Sequence, residues 1–171
     1  MFRKMTIVAL ASTAAMFASP SVAAPKNWTP PTHKIYAQML ADATMKAHPE
    51  LLSVTFHGTP PGMHDIYTMF AGSYPDRIGN PDDPDDIAVS KKGITIVDPR
   101  WNRTKDPAPK FVVQTPLRDR SGANIGLVVY AFKVPVESNA GERSFYLKAL
   151  EFRDALAKQI PNYDSLFASA K

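Results

Sequence analysis

The chain has 171 residues, no cysteine, and 20 Lys and Arg residues against 16 Asp and Glu. The absence of cysteine excludes disulfides, thiolate metal sites and cysteine nucleophiles. The excess of basic residues is small and no Lys/Arg-rich run occurs, so the composition does not indicate a nucleic-acid-binding protein.

The first 23 residues have the pattern of a cleaved signal peptide. Arg3 and Lys4 form a basic start, Met5 to Phe17 is a short apolar run, and Ser21-Val22-Ala23 fits the small-x-small cleavage rule. The apolar run is shorter than the ~20 residues that a membrane span needs. We therefore expect an exported, periplasmic protein without a membrane anchor. After removal of Arg3 and Lys4 with the signal peptide, the mature chain would have 18 basic and 16 acidic residues.

A single domain is expected over residues 32–171, after an extended, proline-rich leader at residues 24–31. Its first element is a helix that Thr32 caps and that runs to about Ala47. Apolar residues recur at three- and four-residue steps in this segment, which predicts one buried stripe. The stripe consists of Ile35, Tyr36, Met39, Leu40, Ala43 and Ala47. Pro49 ends the helix, because the residue before a proline avoids the α region.

Three strands are predicted in the first half of the domain, at Leu51 to His57, Asp65 to Ala71 and Gly93 to Val97. In the first strand, alternation predicts two faces. Leu52, Val54 and Phe56 lie on the apolar face, whereas Ser53, Thr55 and His57 lie on the polar one.

The acidic run from Asp82 to Asp86 precedes a short predicted helix that ends near Ser90. Carboxylates at a helix start meet free backbone N–H groups and the positive end of the helix dipole. We interpret the run as a helix start. A calcium loop is less consistent with it, because the glycine and the terminal glutamate of an EF-hand loop are missing.

A β-hairpin is predicted from Phe111 to Phe132, with its turn at Asp119 to Gly122. Both faces of the second strand are apolar, so this strand is expected to lie in the centre of the sheet, covered on both sides. The last helix follows Ser138 and Asn139, with Glu142 in a possible capping box, and Pro161 ends it. Its apolar stripe is Phe145, Ala149, Phe152, Leu156 and Ile160.

This order of elements predicts an α+β domain with a five-stranded antiparallel sheet. The long N-terminal and C-terminal helices are expected on one face. The short helix and the loops from Asp82 to Ser90 are expected to cover the other face and to leave a cavity.

The hairpin, with Pro116, Leu117, Asp119, Gly122 and Gly126, resembles that of Cache/PAS-like (PDC-type) extracytoplasmic sensor domains. The segments His48 to Leu51, Phe56 to Gly62 and Arg77 to Gly79 resemble periplasmic members of the same group. The resemblance implies a PAS-like sheet with a pocket for a small organic acid, amino acid or similar metabolite. It also implies signalling through membrane helices, and this chain would have to act as a free binding protein or through a membrane-bound partner.

Six residues are candidates for binding a small anionic ligand. A histidine can donate to an anion or titrate, and an arginine can hold a carboxylate with two parallel hydrogen bonds. The candidates are His57, Tyr67, Tyr74, Arg77, Arg100 and Lys110. Each also has an ordinary structural or solvated interpretation.

No metal or cofactor is expected from the sequence. His57, His64 and Asp65 fit no usual zinc spacing. His33, His48, His57 and His64 are possible axial ligands of a haem, but haem ligation by a lone histidine has no sequence signature.

Three functions remain open. The first is a periplasmic ligand-binding or sensing domain that is not an enzyme. The second is a small exported hydrolase in which His57 pairs with Asp65 or Asp76. The third is a structural partner that docks through its sheet. A closed cavity would favour the first, convergent His and Asp side chains the second, and an exposed apolar patch without a cavity the third.

Overall fold

A computed structural model describes residues 25–99, 109–134 and 141–170. The predicted signal peptide, the candidate ligand residue Arg100 and the predicted capping residues Ser138 and Asn139 lie outside these ranges. Within the described residues, none of the helices has the length and apolar composition to cross a membrane.

The described residues form an α+β domain of the predicted PAS-like kind. The α-helices are α1 (Tyr36–Ala47), α2 (Pro84–Lys92) and α3 (Glu142–Ala157). The strands are β1 (Leu51–Gly58), β2 (Thr68–Gly72), β3 (Ile96–Pro99), β4 (Lys110–Arg118) and β5 (Asn124–Lys133). Short 3-10 turns occur at Pro75–Arg77 and Asp164–Phe167.

All five strands belong to one antiparallel sheet in the order β2-β1-β5-β4-β3. Strand β5 is the central strand, as its two apolar faces predicted. Helices α1 and α3 pack on one face, called here the helix face, whereas α2 contacts β1, β4 and β5 from the other, the cavity face. The domain therefore has the predicted layers.

The core lies between the sheet and the two long helices. Phe56 of β1, Tyr130 and Phe132 of β5, and Phe152 of α3 meet there; Phe152 lies 5.8 Å from the Tyr130 ring centre and 6.0 Å from that of Phe132. Burying one such side chain contributes about 1.5–3 kcal/mol. These contacts make the helix face solid and leave the opposite face available for a site.

Two element starts differ from the prediction. Helix α1 begins at Tyr36 with Ile35 as the N-cap and no side-chain capping bond, so Thr32 is not its cap. Strand β2 begins at Thr68, because Asp65 has φ of 57°, a left-handed conformation that a strand cannot contain.

Strand β3 begins at Ile96 instead of Gly93. Gly93 has φ of 64° and ends helix α2 in the left-handed conformation that favours glycine there. Helix α3 has Gly141 as its N-cap and ends at Ala157, so Glu142 is not three residues inside the helix as the capping box required. Ile160 lies beyond the helix end and still packs into the core.

Strand β1 carries the alternation that positions the site, with one irregularity. Val54 and Phe56 enter the core of the helix face, and Ser53, Thr55 and His57 line the cavity face, as predicted. The pairing with β5 shifts between Leu51 and Ser53, and Leu51 enters the core where Leu52 was expected. A bulge of this kind exchanges the faces of the residues on one side of it.

Candidate functional site

A cavity of about 640 Å³ lies between the cavity face of the sheet and the segment that leads into α2. Its size falls within the range of small-molecule sites in proteins. All five strands of the sheet contribute lining residues, Met69 being the one from β2, and the cover comes from residues 74–86. The sheet side thus includes Ser53, Thr55, His57, Gln114 and Val129.

His57 forms the centre of a hydrogen-bonded chain in this cavity. Its Nε2 lies 2.7 Å from Thr55 Oγ1, and its Nδ1 lies 2.7 Å from Asp82 Oδ1. Thr55 and His57 are two residues apart on one strand, which is why both side chains reach the same face. Asp82 comes from the segment before α2, so the chain joins the sheet to the cavity cover.

The Asp82 side chain is fully buried. Burial raises the pKa of this carboxyl group above its usual value, and the hydrogen bond from His57 offsets part of that effect. Its second oxygen, Oδ2, is buried and has no hydrogen-bond partner within the described part of the chain. A buried acceptor without a partner costs about 1–3 kcal/mol, so this oxygen needs a physical explanation.

Asp86 lies beside the His57–Asp82 pair, in the first turn of α2. Its Oδ2 is 3.9 Å from His57 Nδ1, and its Oδ1 accepts a 2.7 Å hydrogen bond from Gln114 Nε2. Gln114 lies on β4, so two strands hold the two ends of this polar group. His57, Asp82 and Asp86 bring three possible ligand atoms within 4.8 Å of one another.

The cavity wall carries more acidic than basic side chains. Its described acidic residues are Asp82, Asp83, Asp85, Asp86 and Asp98. Its described basic residues are Arg77 and Lys110, with His57 as the titratable third. The wall is therefore net negative when the carboxylates are ionised.

Four of the six residues predicted to bind a ligand line this cavity, namely His57, Tyr74, Arg77 and Lys110. Arg77 also lies against the Tyr74 ring, 4.9 Å from its centre. Tyr67 does not line the cavity; its ring contacts Lys91, and its carbonyl accepts the Asp82 N–H. Placement in the wall is a requirement for binding, and binding itself stays a prediction.

Two groups in the sequence were considered for metal binding, namely His57 with His64 and Asp65, and the acidic run from Asp82 to Asp86. The structure does not keep either group together as a single cluster. His57 does not cluster with His64 and Asp65, which are exposed. It meets Asp82 and Asp86, which the sequence indicated only as a helix start. Asp85 and Asp86 do lie in the first turn of α2, as that interpretation predicted, but Asp82 precedes the helix and binds His57.

The hydrolase hypothesis paired His57 with Asp65 or Asp76, and the structure gives His57 a different partner. Asp82 occupies the position at Nδ1, while Asp65 and Asp76 are exposed and do not line the cavity. The pairing predicted from the sequence is therefore wrong, because proximity along the chain does not decide which carboxylate reaches β1.

No family model matches the chain, and none of the curated proteins matches it. Solved structures with a similar fold include the E. coli DcuS sensor domain, at 22% identity and a TM-score of 0.38 over 67% of this chain and 71% of that one. A type II free methionine-R-sulfoxide reductase from Thermoplasma acidophilum has 12% identity and a TM-score of 0.45 over 72% and 90% of the two chains. The GAF domain of an Acinetobacter phosphoenolpyruvate-protein phosphotransferase has 10% identity and a TM-score of 0.45, over 71% of this chain and 79% of that one. These similarities are too weak to assign a function.

Proposed function

We propose that this protein is a small-molecule sensing domain whose ligand occupies the cavity beneath α2. The observation that carries the proposal is the cavity itself, with a hydrogen-bonded His57 in its wall and a packed core behind the sheet. A purely structural partner would not need such a cavity. Within residues 25–99, 109–134 and 141–170, few large apolar side chains are exposed; these are Tyr74, Ile94, Val97 and Leu147.

The charge of the wall favours a ligand with a positively charged group. The sequence predicted an anionic metabolite, for which Arg77 and Lys110 are suitable partners. Two like charges 4 Å apart repel by about 4 kcal/mol at an effective dielectric constant of 20. Five aspartates therefore weigh against a simple dicarboxylate, and we propose an amine or a zwitterion such as an amino acid.

Export to the periplasm and action through a membrane-bound partner complete the proposal. Both come from the sequence: the signal-peptide pattern of residues 1–23 supports export, and the resemblance to sensor domains supports a signalling partner. The expected readout of binding is a change in the segment that joins Tyr74 to α2, because it covers the cavity.

A thermal-shift series with three four-carbon ligands tests the charge preference. Putrescine, 4-aminobutyrate and succinate share a chain length and differ in charge, and a panel of amino acids extends the series. A ligand at 100 times its Kd stabilises the fold by about 2.7 kcal/mol. We expect stabilisation by amines or amino acids and none by succinate in the presence of EDTA.

The matched variants for this test are Asp86→Asn, in the wall, and Asp76→Asn, exposed and outside it. Asp86→Asn should weaken the shift given by a cationic ligand, whereas Asp76→Asn should not. No shift with any amine, amino acid or carboxylate would contradict the proposed function. A shift with succinate alone would contradict the charge assignment and keep the binding role.

One geometric observation favours a hydrolase as a second candidate. Thr55, His57 and Asp82 follow the order hydroxyl, imidazole, carboxylate. This is the order of a nucleophile, its general base and the carboxylate that orients the base. Hydrolysis of p-nitrophenyl acetate by the protein and by Thr55→Val separates the two candidates. Turnover that the variant loses would support an enzyme; equal background rates would exclude Thr55 as a nucleophile for this ester.

A further inference from the structure

The cluster of His57, Asp82 and Asp86 has three properties that hydrogen bonding within the cluster does not explain. It draws on two distant parts of the chain, it places an imidazole between two carboxylates, and it buries the Asp82 side chain completely. Among the described residues, Oδ1 of Asp82 bonds to His57, whereas its buried Oδ2 has no hydrogen-bond partner.

A cation is the simplest partner for such an oxygen. The described cluster offers Asp82 no positive charge apart from His57, and the neighbouring Asp86 adds a second carboxylate. A divalent ion bound to the Asp82 carboxylate would supply the missing positive charge and reduce the repulsion between the two carboxylates. An imidazole nitrogen beside carboxylate oxygens suits zinc and related first-row ions better than Mg²⁺ or Ca²⁺, which prefer oxygen alone.

We propose that His57, Asp82 and Asp86 bind one divalent transition-metal ion of the zinc type. Nδ1 of His57, a carboxylate oxygen of Asp82 and Oδ2 of Asp86 are the three protein ligands. Three protein ligands leave a fourth position for another group, and all three ligand residues line the cavity. The proposal uses the cavity of the proposed function but does not require that an organic ligand bind there.

The distances are close to what the ion requires. Tetrahedral zinc bonds of ~2.0–2.1 Å separate the ligand atoms by about 3.3 Å. Asp82 Oδ1 lies 2.7 Å and Asp86 Oδ2 3.9 Å from His57 Nδ1, on either side of that value. Each of these two separations has to change by about half an ångström, and all three ligand atoms lie within 4.8 Å of one another.

The residues behind the cluster hold the ligands in the orientation that an ion needs. Thr55 Oγ1 lies 2.7 Å from His57 Nε2 and can accept its N–H, which leaves Nδ1 free to bind the metal. Gln114 donates to Asp86 Oδ1 and leaves Oδ2 directed to His57. Such outer contacts typically change metal affinity 10–100-fold when they are lost.

A bound ion also changes what the cavity can accept. It adds two positive charges at the centre of an acidic wall, and its fourth position can take a carboxylate oxygen. The anionic ligand predicted from the sequence then becomes compatible with the five aspartates. We expect succinate to bind only when the metal is present.

Calorimetric titration of tag-free protein, stripped with EDTA and dialysed, tests the site with Zn²⁺, Co²⁺ and Mg²⁺ chloride. We expect one equivalent of Zn²⁺ and of Co²⁺ to bind, Mg²⁺ to bind at least tenfold more weakly, and the Co²⁺ form to absorb visible light as a four-coordinate ion does. Asp86→Asn and His57→Gln should weaken Zn²⁺ at least tenfold. Thr55→Val should weaken it about 10–100-fold.

Asp85→Asn is the matched control, because it removes the same charge from the same helix and the same cavity wall but lies outside the cluster. Its Zn²⁺ affinity should stay within about threefold of the parent. Equal weakening by Asp85→Asn and Asp86→Asn would show diffuse attraction and overturn the site. Absence of Zn²⁺ binding to folded protein, checked by circular dichroism, would overturn it too and would leave the ligand series in EDTA unaffected.

Discussion

Addition of one methyl group at Gly126 tests how closely the central strand approaches the site. Gly126 lies on β5 with φ of 150°, and a Cβ there would lie 2.5 Å from the His57 carbonyl oxygen. Real Cβ atoms do not approach other atoms this closely, so β1 and β5 must separate locally. Gly126→Ala should therefore both destabilise the fold and displace His57.

The expected loss has two parts. Backbone strain at positive φ costs about 1–3 kcal/mol, and moving a packed strand costs a further ~1–3 kcal/mol. A sum of about 2–6 kcal/mol is a large share of the 5–15 kcal/mol that holds a typical domain. At about 3 °C per kcal/mol for a domain of this size, the melting temperature should fall by about 6–18 °C.

Gly122→Ala is the matched control, since Gly122 has φ of 84° but no atom within 4 Å of the added Cβ. Gly122→Ala should lower the free energy of unfolding only by the backbone strain, about 1–2 kcal/mol. Urea unfolding of both variants, with Zn²⁺ titration as the readout of His57, measures the difference. If Gly126→Ala and Gly122→Ala unfold at the same urea concentration, the contact with His57 is not a constraint and the reasoning fails.

Three further outcomes are expected from unfolding curves in EDTA. Tyr130→Phe should leave stability unchanged or raise it by up to about 1 kcal/mol, because the buried Tyr130 hydroxyl has no hydrogen-bond partner among the residues that the structure describes; a loss above about 1 kcal/mol would contradict this. Asp119→Ala should cost about 1–2 kcal/mol at neutral pH, since Asp119 Oδ1 accepts bonds from the Ser121 hydroxyl and from the backbone N–H groups of Ser121 and Ala123. The hydrogen bond from the Ser121 hydroxyl is the main cause of the lowered pKa of Asp119. The stabilisation by Asp119 is therefore present above the ordinary pKa near 4 and is lost as the pH falls through the folded value. A difference in unfolding free energy between the parent and Asp119→Ala that does not change with pH would refute this. Asp82 has a raised pKa, so its ionised form destabilises the fold; acidification from pH 7 towards pH 4 should stabilise the parent relative to Asp82→Asn, and the opposite trend would contradict the assigned direction.

Local sequence patterns were sufficient for most of the fold. The two apolar faces of β5 predicted its central position, and the alternation in β1 predicted that Thr55 and His57 share the polar face. These predictions depend on neighbours along the chain, where the period of two is decisive. The start of β2 was missed, because a left-handed Asp65 leaves no periodic signal.

The site was only half predictable for a related reason. His57 could be selected from its position beside the Gly/Pro loop, but Asp82 lies 25 residues away. A run of aspartates before a helix has a sufficient local explanation in the helix dipole, so nothing in the sequence distinguishes Asp82 from Asp83. The pairing follows from how the segment before α2 folds over β1, which is a tertiary property.

The central position of β5 has a consequence for how this domain tolerates change. Val129 and Ala131 line the cavity, whereas Val128, Tyr130 and Phe132 pack against the helices. Each residue of β5 that lines the cavity is therefore next in sequence to a residue of the hydrophobic core. A substitution that adapts the strand to a new ligand thus affects a direct neighbour of the core. Evolution of specificity should proceed through the covering segment and the edge strands, and β5 should accept the fewest alternatives in a saturation-mutagenesis library.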